Sequence, residues 1–184
     1  MSTSKATVEN HLSETEPRWF AIRTRYKSEK LAYQQLEKNN IHAYLPLRES
    51  IKIYHRKKRV TDLPLINSFV FVKIIKREYI YVLQTEYVSG FLKFGQNLLA
   101  IPEEQINLIR RLLGENLDID IEPSDKVFEK GDWVEVTTGP LLGLRGQLIM
   151  VKGKEKVLVE LINSGYTLQI SIDNQLLKKI PPKN

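Results

Sequence analysis

The chain has 184 residues, a formal charge of +6, 42% hydrophobic residues and 27% charged residues. That length fits one ordinary domain or two small ones. The absence of cysteine excludes disulfides, thiol nucleophiles and thiolate metal sites, and no apolar run approaches the ~20 residues of a membrane span.

Residues 1–16 are polar and lack the apolar core of a signal peptide, so a disordered tail is expected there. Trp19 to Thr24 alternates like a strand, with Trp19, Ala21 and Arg23 on one face and Phe20, Ile22 and Thr24 on the other. A helix is predicted from about Ser28 to Asn39, with Ser28 as its cap and Leu31, Ala32 and Leu36 on one face. Ile41 to Leu45 is a short strand. Residues 48–62 carry the basic run His55 to Arg59 and suggest strands or a hairpin reaching out from the body.

"PLINSFVFVKI", Pro64 to Ile74, is the strongest strand signal and is apolar on both faces, which predicts a central strand. A short helix over 78–84 and a strand in "VSGFLKFG" follow. "AIPEEQINLIRRLLGEN" is a helix with Pro102 in its first turn, acids at its start, arginines near its end and Gly114 as its stop. Acidic residues 115–126 are expected to be a linker. Beyond them come short strands at 133–137, 147–151, 156–161 and 166–172, with turns at Gly139-Pro140, Gly153-Lys154 and Asn163-Ser164-Gly165. That spacing predicts a small β-barrel or sandwich. The domains expected are therefore 17–114 (α+β), a linker at 115–126, and 127–184 (all β).

No catalytic set emerges. His11, His42 and His55 share no metal-ligand spacing, and no nucleophile elbow, zincin motif or Walker loop is present. No catalytic residue, metal or cofactor is expected. The glycines of "KGDWVEVTTGPLLGLRGQLIMV" precede a strand, not a helix N-terminus, which argues against a phosphate cradle and for tight corners.

Arg23, Arg25, Lys27 and Lys30 cluster near the first strand–helix turn, and Arg56, Lys57, Lys58 and Arg59 form a second patch. Either a phosphate-contacting ridge or a solvated charged surface accounts for them. Phe69 and Phe71 share a strand face, which is either core or, if uncovered, a protein interface.

Three blocks, "RWFAIRTRYKSEKLAYQQLE", "PLINSFVFVKI" and "VSGFLKFG…AIPEEQ", resemble the N-terminal (NGN) domain of NusG-type transcription elongation factors. Gly131, Gly139, Gly143 and Gly146 resemble the KOW motif of the same family. "YLPL", "RKK" and "LLKKI" are similar to the specialised RfaH/UpxY-type antiterminators. The resemblance implies a ferredoxin-like α/β sandwich followed by an SH3-like KOW barrel.

It also implies a cytoplasmic, monomeric, non-enzymatic factor that suppresses pausing or termination, on a long operon such as a polysaccharide locus. Its implied partners are RNA polymerase, the non-template DNA strand and, through KOW, a ribosomal protein or Rho; no membrane is implied. Ile66, Phe69, Phe71, Phe94 and Ile101 would meet the β′ clamp helices. Arg77, Glu78 and Tyr79 would face the β gate loop, and Arg23, Arg25 and Lys27 the DNA. Where many members read Pro-Gly-Tyr or Pro-Asn-Tyr, this chain reads Asn67-Ser68-Phe69. An RNA- or ribosome-binding KOW protein is the alternative.

Overall fold

A computed structural model describes residues 8–54, 57–115, 117, 119–125 and 130–182. It falls into two compact units, residues 1–103 and 104–184.

The first unit is built on a four-stranded antiparallel sheet. Its strands are β1 (Arg18–Thr24), β2 (His42–Tyr44), β5 (Phe69–Ile74) and β6 (Val88–Phe91), in the order β2-β5-β1-β6. β5 is interior, as its two apolar faces require. Antiparallel pairing of Phe20 with Val72 and Ile22 with Val70 aligns one face of β1 with one face of β5. That face buries Phe20, Ile22, Val70, Val72 and Ile74 with Leu36 of α1 (Glu29–Lys38) and Val82 of α2 (Tyr79–Gln84). Ser28 is the residue before α1, but its side chain makes no capping bond to the helix, contrary to expectation. Its hydroxyl donates to the Tyr26 carbonyl instead.

β3 (Leu47–Tyr54) and β4 (Lys57–Pro64) form a separate two-stranded ribbon, in agreement with the predicted hairpin. Within the expected disordered tail, residues 1–7 lie outside the described residues. The rest of it is anchored. Asn10 bridges to Leu98, the His11 N–H donates to the Leu98 carbonyl, and the Lys76 N–H donates to the Ser13 carbonyl. Leu12 packs against the core.

The second unit contains α3 (Glu104 onward in the helix Glu103–Gly114), which buries Ile106, Leu108, Ile109 and Leu112. It also contains a six-stranded antiparallel sheet. The strands are β7 (Ile119–Pro123), β8 (Lys130–Val136), β9 (Arg145–Val151), β10 (Lys154–Leu161), β11 (Tyr166–Ile170) and β12 (Leu177–Lys179), in the order β12-β8-β9-β10-β11-β7. Val134, Val136, Ile149, Val157, Val159, Leu168 and Ile170 alternate along their strands and are buried. β7 stands where a linker was expected. Ile119 and Ile121 pair with Ile170 and Leu168, and Lys156 Nζ donates to Asp120 Oδ2 at 2.8 Å. The fold class is α+β, as predicted.

Candidate functional site

The second face of the first sheet is aromatic. Register places Trp19 beside Lys73, Ala21 beside Phe71 and Arg23 beside Phe69 on β1–β5, and Tyr44 beside Phe71 on β2–β5. The Tyr44 and Phe71 rings stack at 6.3 Å, and the Trp19 ring meets His42 edge-on at 5.1 Å. Ile101 bridges to Trp19. Glu103 locks this face: its Oε2 accepts from both Trp19 Nε1 and Lys73 Nζ, each at 2.8 Å.

Of the five apolar candidates, Ile66, Phe69, Phe71 and Ile101 are buried, and Phe94 alone is exposed, at 40%. The uncovered patch that a shared Phe69–Phe71 face suggested is therefore not found. The strand alternation was right, but it does not report what lies over a face.

Arg77 is exposed and available to a partner. Glu78 and Tyr79 already have local roles. Glu78 Oε2 accepts from the Ile75 N–H at 2.9 Å, and Tyr79 stacks on Phe91 at 4.6 Å.

Arg23, Arg25, Lys27 and Lys30 are all exposed, at the end of β1, the turn and the start of α1. Lys27 has φ of 54°, so the backbone reverses sharply there. Between these cations Tyr26 is 78% exposed, with Lys27 Nζ 5.1 Å from its ring centre. Sequence reasoning passed over Tyr26, although an aromatic set among four cations is the pattern of a base-stacking platform. It also passed over Ile80, Tyr81 and Leu83, which expose an apolar surface on α2.

The other basic patch lies on different elements. Lys57, Lys58 and Arg59 are exposed on β4, while His55 and Arg56 lie outside the described residues.

The glycines divide by physical cause. Gly139 and Gly143 have φ of 80° and 81°, the left-handed region that a side chain disfavours. A Cβ on Gly146 would lie 2.5 Å from the Leu158 carbonyl oxygen and 2.6 Å from Val157 Cγ1, so β9 and β10 meet only because none is there. Gly131 has neither a positive φ nor a clash, only an ordinary 3.4 Å approach to Leu148. No phosphate-loop geometry accompanies them, since β9 follows.

A unit of sheet and helices followed by a unit dominated by a six-stranded sheet defines a small two-part α+β protein. The family model described as transcription termination factor NusG matches residues 17–110, and the chain belongs to the NusG family. Among solved structures, it is similar to one titled "Domain interaction in Thermotoga maritima NusG". The identity is 21% and the TM-score 0.57, over 92% of this chain and 100% of that one. It is also matched to "Crystal Structure of MjSpt4:Spt5 complex conformation A" at 22% identity and a TM-score of 0.29, over 88% of this chain and 97% of that one. No curated protein sequence matches the chain.

Proposed function

We propose that the chain is a non-catalytic transcription elongation factor that binds RNA polymerase across its cleft. The observation that carries this reading is the family match over residues 17–110, which contains all the polymerase candidates and both basic clusters. In this reading Phe94, the exposed member of the apolar set, serves the β′ clamp helices, and Arg77 with the α2 surface serves the β gate loop. Arg23, Arg25, Lys27 and Lys30 run beside the non-template strand. The C-terminal sheet acts as a KOW module for Rho or a ribosomal protein. We further assign the chain to antitermination on a specific long operon, in the manner of the RfaH/UpxY-type branch, and to the cytoplasm. Among the described residues no helix is long and apolar enough to cross a membrane.

The mechanism needs no covalent step. A factor bridging both jaws of a cleft favours the closed, elongating polymerase over the opened, paused one. It does so only through its differential affinity for the two states.

The test is capture of polymerase by the full chain and by Phe94→Asp. Phe94 is the candidate to change because its exposure spares the fold, whereas Phe69→Asp would place a charge at a 4% exposed position. Wild-type capture lost in Phe94→Asp is the expected result. Absence of capture by the wild type, with RNA bound instead, would overturn the reading in favour of an RNA-binding protein.

A further inference from the structure

We propose that the β3–β4 ribbon grips the phosphates of a DNA duplex through one of its two faces. The register sets Arg48 opposite Leu63, Ser50 opposite Thr61, Lys52 opposite Arg59 and Tyr54 opposite Lys57. Side chains alternate along a strand, so Arg48, Lys52, Lys57 and Arg59 share a face with Ser50 and Thr61. Glu49, Ile51, Ile53, Lys58, Val60 and Asp62 occupy the other.

Charge is therefore segregated. The first face carries four cations and no carboxylate; the second carries one lysine, two carboxylates and the exposed apolar surface of Ile51, Ile53 and Val60. The sequence run Lys57–Arg59 hides this, because Lys58 points away from its neighbours.

The arrangement is unfavourable without an anion. Lys52 and Arg59 stand directly opposite each other, and like charges so placed repel. Arg48, Lys52, Lys57 and Arg59 are all exposed, and none has an ion-pair partner among the described residues. A polyanion laid along the face removes that repulsion. The Ser50–Thr61 pair adds hydroxyl donors of the kind that meet phosphate oxygens.

The geometry selects B-form DNA. Paired strands lie ~4.8 Å apart, and a two-stranded ribbon is a shape that the ~12 Å major groove of B-DNA admits. The deep, narrow major groove of A-form RNA does not admit side chains. From Arg48 to Lys52 is ~13 Å of strand at ~3.3 Å per residue, close to four nucleotides of axial rise at ~3.4 Å each. Contacts of this kind position a protein without reading sequence.

The inference extends the nucleic-acid part of the proposed function and does not need polymerase. The test is fluorescence anisotropy of a short mixed-sequence DNA duplex with the full chain over a series of salt concentrations. An RNA duplex and a single strand of the same sequence serve as competitors. The double variant Lys52→Gln/Arg59→Gln should lower the slope of log affinity against log salt by about 1.8, from two phosphate contacts at about 0.9 each. Lys58→Gln, the same kind of charge loss on the opposite face, should leave the slope unchanged. An equal loss per charge in Lys58→Gln, tighter binding of the RNA duplex or single strand, or no duplex binding by the wild type would each overturn the proposal. Polymerase capture run in parallel separates the two readings: its absence overturns the polymerase reading and leaves duplex binding standing.

Discussion

Trp19 and Glu103 are joined across 84 residues of sequence by a 2.8 Å hydrogen bond from the indole Nε1 to the carboxylate Oε2. Trp19 is only 2% exposed, and the same oxygen holds Lys73. One carboxylate thus fixes the aromatic face of β1 and β5 to the first residue of α3.

Glu103→Ala is expected to cost about 1–3 kcal/mol, the penalty for removing the acceptor of a buried donor. Glu103→Gln keeps an acceptor oxygen and should cost less. Urea unfolding followed by tryptophan fluorescence measures both. Equal stability of Glu103→Ala and the wild type would show that the bond contributes nothing.

Ser68 offers a gain in stability. Its φ is 59°, in the left-handed region, a conformation that glycine and asparagine tolerate better than serine. Ser68→Gly should stabilise the first unit by up to about 1 kcal/mol, part of the strain being offset by a more flexible unfolded chain. Glu29→Ala should act in the opposite sense. The Glu29 carboxylate is 5% exposed and accepts the Ser68 N–H at 2.6 Å, so its loss should cost about 1.5–3 kcal/mol. Thermal melts of the two variants should shift in opposite directions.

Gly146→Val should disrupt the second unit. The new side chain would meet the Leu158 carbonyl, which is backbone and cannot rotate away. Even Gly146→Ala should cost about 1–3 kcal/mol as an overpacking change. In amide spectra of Gly146→Val, residues 130–179 should lose dispersion while residues 18–91 keep theirs. A spectrum collapsed throughout would show that the two units do not fold separately.

The ion pair of Lys156 with Asp120 ties β7 to β10 and is asymmetric. The Lys156 side chain is 7% exposed and that of Asp120 is 50% exposed. Removing the carboxylate takes one charge partner from a buried ammonium, whereas Lys156→Met replaces the charge with an apolar chain of similar length. Asp120→Ala is therefore expected to destabilise more than Lys156→Met, and to speed hydrogen exchange along 119–123. The reverse order would mean that the lysine is solvated.

Most of the sheet architecture was legible because alternation is a local property. The faces of Trp19–Thr24 and Phe69–Ile74 follow from period two alone, and the pairing of Phe20 with Val72 respects them. β7 was equally written in the sequence. Ile119 and Ile121 alternate with Asp120 and Glu122, but acidity and Pro123 made the segment look like solvent-exposed chain. Proline is tolerated at that place because β7 is an edge strand.

Two features were not legible. The anchoring of residues 9–13 rests on hydrogen bonds to residues 76, 97, 98 and 100, which no local pattern encodes. The burial of Ile66, Phe69, Phe71 and Ile101 likewise depends on what packs over a face that is apolar in either case. For the basic run at 57–59, composition located the charge and register alone divided it.

The place of β7 also determines where this chain can be cut. Ile119 packs at 7% exposure and pairs with Ile170, which is fully buried. A C-terminal fragment begun after Pro123 would leave the free side of β11 without its ladder partner and open the Leu168–Ile170 layer to water. Such a fragment would have an unprotected strand edge, the usual template for self-association. A fragment begun before Ile119 keeps β11 paired and ends the sheet on its native edge strand.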